Sequence, residues 1–286
     1  GKEMFAILPP NLLANQVTLY AQYLADPAKA PTGQPISTVD HIYGLAGSPR
    51  YGDMWDPAAG TGGAYRTVML LTDGPGGNGI AALDVTDPVA KIAAGQDPVT
   101  VLWSKQGGGT DWPNLFKTWS TPAAGASKAF VSSPHAASVC TGISGAGFNV
   151  LSSKASQVIP KAMVFNPLTG VVSSNFSPSA GTVTSPTPWV GNQTFADSVI
   201  YSTGATAFYP DNIVNLGLQP DLNGRIWFLP VNTSTGEITT CKVGIDATTK
   251  AGQQQPIYYS CAVNAFGTYD LYTFGSGTVY EKSSQV

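Results

Sequence analysis

Three cysteines, two histidines, a glycine-rich run and six tryptophans are the residues of this chain whose types and spacing could do chemistry. Cys140, Cys241 and Cys261 are an odd set. Cys241 and Cys261 bracket residues 242–260 between two predicted strands, and a disulfide there would stabilise by ~3 kcal/mol through loop closure. Cys140 is then left buried or paired elsewhere; the alternative is three unrelated buried thiols. His135 and Cys140 stand five apart, but no second pair completes a tetrahedral zinc set, and His41 is distant. Both histidines read as structural. The run from Gly74 to Gly79 lacks the Lys-Ser/Thr pair and the following helix of a phosphate-binding loop. A strand follows it, so it reads as a hairpin turn. No G-x-S-x-G elbow occurs among the many serines. Glutamate is limited to Glu3, Glu237 and Glu281, so a glycosidase pair would draw on Asp40, Asp53, Asp56 or Asp73, and nothing in the spacing selects two. Trp103 and Trp227 lie in predicted strands and read as core, whereas Trp112 and Trp119 lie in the Gly/Pro-rich stretch 105–122. They are the ligand or partner contact candidates, because aromatics with a polar tip are enriched at interfaces; the alternative is a loop pinned by its own aromatics. The sequons at Asn175, Asn192 and Asn232 read as chance matches.

The elements that must position these residues are strands. The chain has 286 residues, 32 Gly, 22 Pro and only 11% charged residues, against about 25% in an average soluble domain. A 43% hydrophobic share allows a packed core. Such a composition suits hairpins and long loops. The net charge of -3 offers no cationic stripe for nucleic acid, and no apolar run of about 18 residues exists to span a membrane. No signal peptide follows Gly1-Lys2-Glu3. The charge-poor, Ser/Thr/Asn-rich composition favours a mature or excised piece of an extracellular protein.

The organising stretch is residues 65–88, YRTVMLLTDGPGGNGIAALDVTDP. Two apolar strands, 66–71 and 80–85, flank a turn of glycines, Pro75 and Asn78. The second strand closes on Asp84-Val85-Thr86-Asp87-Pro88. That pattern, an apolar strand ending on Asp or Asn and a Thr-containing turn, returns at 162–170 (AMVFNPLTG) and 225–236 (RIWFLPVNTSTG). A loose repeat of this kind marks a β-repeat architecture, with a propeller as the first candidate. Elsewhere the spacing predicts a helix over 11–25, with Asn11 as its cap. It predicts strands at 38–45, 99–104, 129–132, 145–151, 161–165, 198–202, 225–231, 257–263 and 270–274. Residues 49–64 and the Ser/Thr/Pro-rich 172–188 read as loops.

Taken in order, several stretches resemble the C-terminal β-propeller of the type IV pilus tip-associated PilY/PilC family. They are GKEMFAILPPN at 1–11, the 65–88 stretch with Val101-Leu102-Trp103 after it, and GAGFN at 145–149. DLNGRIWF at 221–228 and FGSG at 274–277 with Tyr280-Glu281 complete the series, which runs across nearly the whole chain. The resemblance implies an all-β fold, a modified propeller of about seven irregular blades filling residues 1–286, with a short N-terminal helix and long loops. It implies an extracellular, cell-surface or pilus-tip location. It also implies a non-enzymatic role in pilus assembly and adhesion, with minor pilins or the pilus tip complex as partners and a host or surface ligand beyond them. The family's N-terminal module is absent, so the chain reads as a fragment of a longer secreted protein. Family members often carry a calcium loop of the D-x-[DN]-x-D-G type before the D-L-x-G strand. Calcium needs six to eight oxygens, and 202–220 supplies only Asp211 as a carboxylate, with Asn212 and Asn215 beside it. The expectation is therefore no metal there and no cofactor, with Asp221 and Asn223 structural. The alternatives are a quinoprotein-like propeller oxidoreductase, whose blades also end in strand–Asp–x–x–Thr–Gly, and a carbohydrate-binding secreted propeller.

Overall fold

The computed structural model describes residues 5–25, 45–112, 115–127, 139–147, 162–176, 198–201, 213–222, 224–232, 234–247, 257–266 and 269–276. A 3-10 turn, Pro10–Leu12, leads into helix α1, Leu13–Ala25. The predicted helix is therefore present, but Asn11 does not cap it. Asn11 sits inside the 3-10 turn and its side chain reaches out to Asp73.

Fourteen strands follow among the described residues, grouped in chain order. The first sheet is β1 (Arg50–Asp56), β2 (Ala64–Thr72), β3 (Gly79–Asp84) and β4 (Thr100–Gln106), with a short helix α2 (Pro88–Ala93) between β3 and β4. The second is β5 (Ala123–Ala126), β6 (Cys140–Ser144), β7 (Ala162–Phe165) and β8 (Val172–Phe176). The third is β9 (Val199–Tyr201), β10 (Leu216–Pro220), β11 (Arg225–Pro230) and β12 (Lys242–Asp246). β13 (Ala262–Phe266) and β14 (Tyr269–Thr273) form a last hairpin. Each four-stranded sheet is an antiparallel meander in which sequence neighbours are hydrogen-bonded neighbours. Short connections between antiparallel strands make this the cheapest way to pair them.

Alternation along the strands explains the packing. β7 reads Ala-Met-Val-Phe and is buried throughout. Its Met163 and Phe165 join Val68, Leu70, Ile80 and Ala82 of the first sheet in one cluster. Its Ala162 and Val164 join Trp227 and Leu229 of the third sheet in another. The second sheet is thus sandwiched between the first and the third. β11 repeats the device: Trp227 and Leu229 face the second sheet, whereas Ile226 and Phe228 pack with Val263 and Tyr272 of the last hairpin. The sheets stack face to face in sequence order, and the leading strands β1, β5 and β9 of successive sheets are neighbours.

Several expectations are corrected here. Residues 50–56 form β1 within the predicted loop 49–64; Gly60, Gly62 and Gly63, all at positive φ, confine the turn to its second half. Residues 172–176 form β8 within the predicted loop 172–188. β6, β10 and β12 were not expected, and β6 rather than 145–147 pairs with β7. The predicted strand 257–263 is displaced to Ala262–Phe266. Residues 38–44 of the predicted strand 38–45, the whole of 129–132 and residues 148–151 of the predicted strand 145–151 lie outside the described residues. No closed barrel forms among the described residues, which give three four-stranded sheets and one hairpin where about seven blades were expected.

Candidate functional site

The repeated turn found in the sequence occupies equivalent places: after the third strand of each four-stranded sheet. Asp84 Oδ1 accepts from the Thr86 N–H at 2.9 Å. Asn166 Oδ1 accepts from Leu168 N (2.8 Å) and Thr169 N (3.2 Å), and Asn232 Oδ1 accepts from Ser234 N (3.0 Å). A short carboxylate or amide folds back on the next N–H groups, which is why Asp or Asn ends each strand.

The second and third turns also lock onto the preceding sheet. Trp103 Nε1 donates to Pro167 O (2.8 Å) and Trp112 Nε1 donates to Gly170 O (3.1 Å). The two indoles stack at 6.1 Å and both meet Phe165. At the next joint the Ser127 and Thr141 hydroxyls donate to Gly236 O at 2.9 and 2.8 Å. Gly170 and Gly236 have φ of 70° and 77°. A Cβ at Gly170 would stand 2.6 Å from the Trp103 ring, so glycine is required there for both backbone and space.

Trp112 is consequently no exposed contact residue. It is 1% exposed, buried between two sheets as the largest fully buried side chain. Its loop carries charge at the tip instead, with Lys105 Nζ 2.5 Å from the exposed Asp111 carboxylate. Trp119 is half-buried. The Gly/Pro composition of 105–122 hid this, because a loop can be anchored by one side chain that dives into the core. The Cys241–Cys261 disulfide is also corrected: no disulfide joins Cys140, Cys241 and Cys261. They belong to three different apolar clusters, Cys140 between the first two sheets, Cys241 against the second cluster and Cys261 in the third. Burial pushes the Cys140 and Cys261 thiols up to about 11.

Five carboxylates take part in polar networks. Asp221 is fully buried and accepts from Arg225 N (3.0 Å), Arg225 Nε (3.2 Å) and Trp227 Nε1 (2.8 Å), with Arg225 Nη2 at 3.1 Å. This is the structural role expected of it. Asp73, 3% exposed, accepts from Gly79 N at 2.7 Å and from Asn11 Nδ2, tying the 3-10 turn ahead of α1 to the central hairpin. Burial pushes its carboxyl up, against those two donors. Arg66 bridges Asp56 (2.6 Å) and Asp84 (2.5 Å). Burial opposes the guanidinium's charge, but both carboxylates outweigh it and hold its pKa above the ordinary value. For Asp84 burial pushes up, and Thr86, Arg66 and Lys91 together pull it below the ordinary carboxylate value. Asp53 accepts from the Thr67 hydroxyl at 2.7 Å.

Among the described residues no His, Cys, Asp and Glu side chains gather into a metal-ligand set. His41, His135, Asp40, Asp211, Asn212 and Asn223 lie outside the described residues. No described helix is long and apolar enough to cross a membrane. Among the described residues the exposed aromatics are tyrosines, Tyr20 (62%) on α1 and Tyr51 (76%), Tyr65 (54%), Tyr259 (72%) and Tyr269 (78%), the last four not singled out as contact candidates from the sequence. The usable signal was parity, since Tyr65 alternates out of phase with the buried Val68 and Leu70 of its own strand.

No family model matches the chain, and no curated protein matches it. Among solved structures, the crystal structure of the Pseudomonas aeruginosa PilY1 C-terminal domain is similar in fold, with a TM-score of 0.57 and 19% identity. The match covers 83% of this chain and 45% of that one, so the chain spans less than half the length of the structure it resembles.

Proposed function

We propose that this chain is the sheet stack of a β-propeller that acts as a non-enzymatic scaffold in a type IV pilus-associated surface protein. The observation that carries the reading is the repeated joint. Four-stranded meanders follow one another face to face, their leading strands adjacent and their third-to-fourth-strand turns locked onto the preceding sheet. Blades around a common axis are built this way, and the fold likeness to the PilY1 C-terminal domain supports the same arrangement. The pilus association rests on that likeness and on the ordered motifs of residues 1–281. On this reading the rigid sheets carry loops that contact minor pilins or a surface ligand outside the cell, and function lies in those loops. Sheared filaments probed for this chain, with immunogold labelling, test it. Label at filament tips supports the reading. Absence from filaments, together with normal piliation and adhesion in a deletion strain, overturns it.

A further inference from the structure

A groove of about 480 Å³ opens at the end of the first sheet, between β2 and the turn that carries α2. That volume lies within the range of small-ligand sites. Tyr65 forms part of its wall, 54% exposed, and is held by an edge contact with Trp55 at 5.1 Å and 76°. Arg66, Asp84, Thr86, Asp87, Lys91 and Gln96 form its polar lining, and four alanines complete it. Arg66 is fixed by Nε to Asp56 and Nη1 to Asp84, which leaves the remaining N–H groups of its fork without a protein acceptor among the described residues. The Lys91 ammonium and the Gln96 amide likewise have no hydrogen-bond partner there. The cations Arg66 and Lys91 are matched by Asp84 and Asp87 in the same lining, so the groove has no net charge.

An aromatic wall beside pre-oriented donors, with charges cancelled, suits a polar but uncharged ligand whose one face is C–H and whose edge is hydroxyl. A sugar ring has that chemistry. An anion would be drawn to Arg66 and Lys91 but repelled by Asp84 and Asp87, and an apolar ligand would leave the Arg66 donors buried without acceptors. We propose that this groove is a binding site for a neutral saccharide, with Tyr65 as the platform for the ring and Arg66 and Gln96 as donors to its hydroxyls.

This assignment is independent of the pilus reading: filament localisation could fail while the groove still binds sugar, and the reverse. The test is isothermal titration of the whole chain with maltotriose, chitotriose and globotriose, with inorganic phosphate as the anionic probe. Saturation-transfer NMR would identify the ring protons in contact. The expected result is millimolar or tighter binding of at least one trisaccharide, insensitive to salt. Tyr65→Ala should weaken it roughly tenfold or more, Tyr65→Phe should retain it, and Lys91→Gln should change it less than threefold on the order expected for a charge-independent site. If Tyr65→Ala unfolds, Gln96→Ala takes its place: it should weaken binding by loss of a donor, and trisaccharide binding that it leaves unchanged overturns the proposal. No binding of any trisaccharide at millimolar concentration overturns the proposal. So does binding unchanged by Tyr65→Ala in a folded protein, or salt-sensitive phosphate binding abolished by Lys91→Gln.

Discussion

Replacing Asp221 by Ala should be among the most damaging single changes in this chain. The carboxylate is fully buried and its hydrogen bonds run to Arg225 N, Arg225 Nε and Trp227 Nε1 between 2.8 and 3.2 Å. Arg225 has a side chain only 13% exposed, and its guanidinium lies over the Trp227 ring at 4.8 Å. Truncation removes the counter-charge of a nearly buried cation and the acceptor of an indole at the joint with the second sheet. Breaking such a pair costs about 3–5 kcal/mol. At roughly 2–4 °C per kcal/mol for a chain of this size, the melting temperature should fall by roughly 6–20 °C. Removing both charges is different: Asp221→Leu with Arg225→Met discards the desolvation cost of each ion along with their attraction. Urea unfolding of the wild type, Asp221→Leu, Arg225→Met and the double variant forms a complete cycle. The double variant should be more stable than Asp221→Leu alone, with a coupling well above 1 kcal/mol. A loss below about 1 kcal/mol for Asp221→Ala, or an additive double variant, would refute the view that this pair holds the third sheet together.

Trp112→Ala should cost about 3–5 kcal/mol by cavity formation in a urea melt, whereas Tyr51→Ser, on an exposed residue, should stay within about 0.5 kcal/mol. Thiol titration in denaturant should find all 3 cysteines reactive without a reductant; a single reactive thiol would restore the disulfide. In the folded protein Cys140 and Cys261 should resist alkylation near pH 8, because burial holds both thiols near 11. Asp73 is pushed above its ordinary 3.8 by burial, so the folded chain binds this proton more tightly than the unfolded chain does. Stability from this group therefore falls as pH rises from the ordinary carboxylate range through the folded-state value. Asp73→Asn should flatten that part of the stability–pH curve and leave stability at neutral pH no lower than wild type.

The central hairpin and the repeated turn were readable because each rests on local chemistry: glycines and proline for the 73–79 turn, and a short acceptor at Asp84, Asn166 and Asn232 for the others. Helix α1 was readable from its spacing. β1 and β8 were not, because Gly52, Asp53, Ser173 and Ser174 carry little strand preference of their own, and pairing with β2 and β7 decides their conformation. α2 was hidden behind Pro88, which starts a helix as readily as it ends a turn. The fate of Trp112 depended on a contact 58 residues away with Gly170 O, which no local pattern encodes. The cysteines failed for a related reason: closeness in sequence around 242–260 says nothing about which face of which sheet each thiol occupies.

At both joints between sheets the acceptors are main-chain carbonyls, Pro167 O and Gly170 O in one and Gly236 O in the other, while the donors change from two indoles to two hydroxyls. A carbonyl is present whatever the residue, so the coupling survives replacement of the donor by any side chain that can reach. Sheets joined in this way behave as interchangeable parts. One should be transplantable to another position in the stack if its turn glycine goes with it and its neighbour supplies a donor. Shuffled chains built by that rule would tolerate far more sequence change in their strands than in these two short turns.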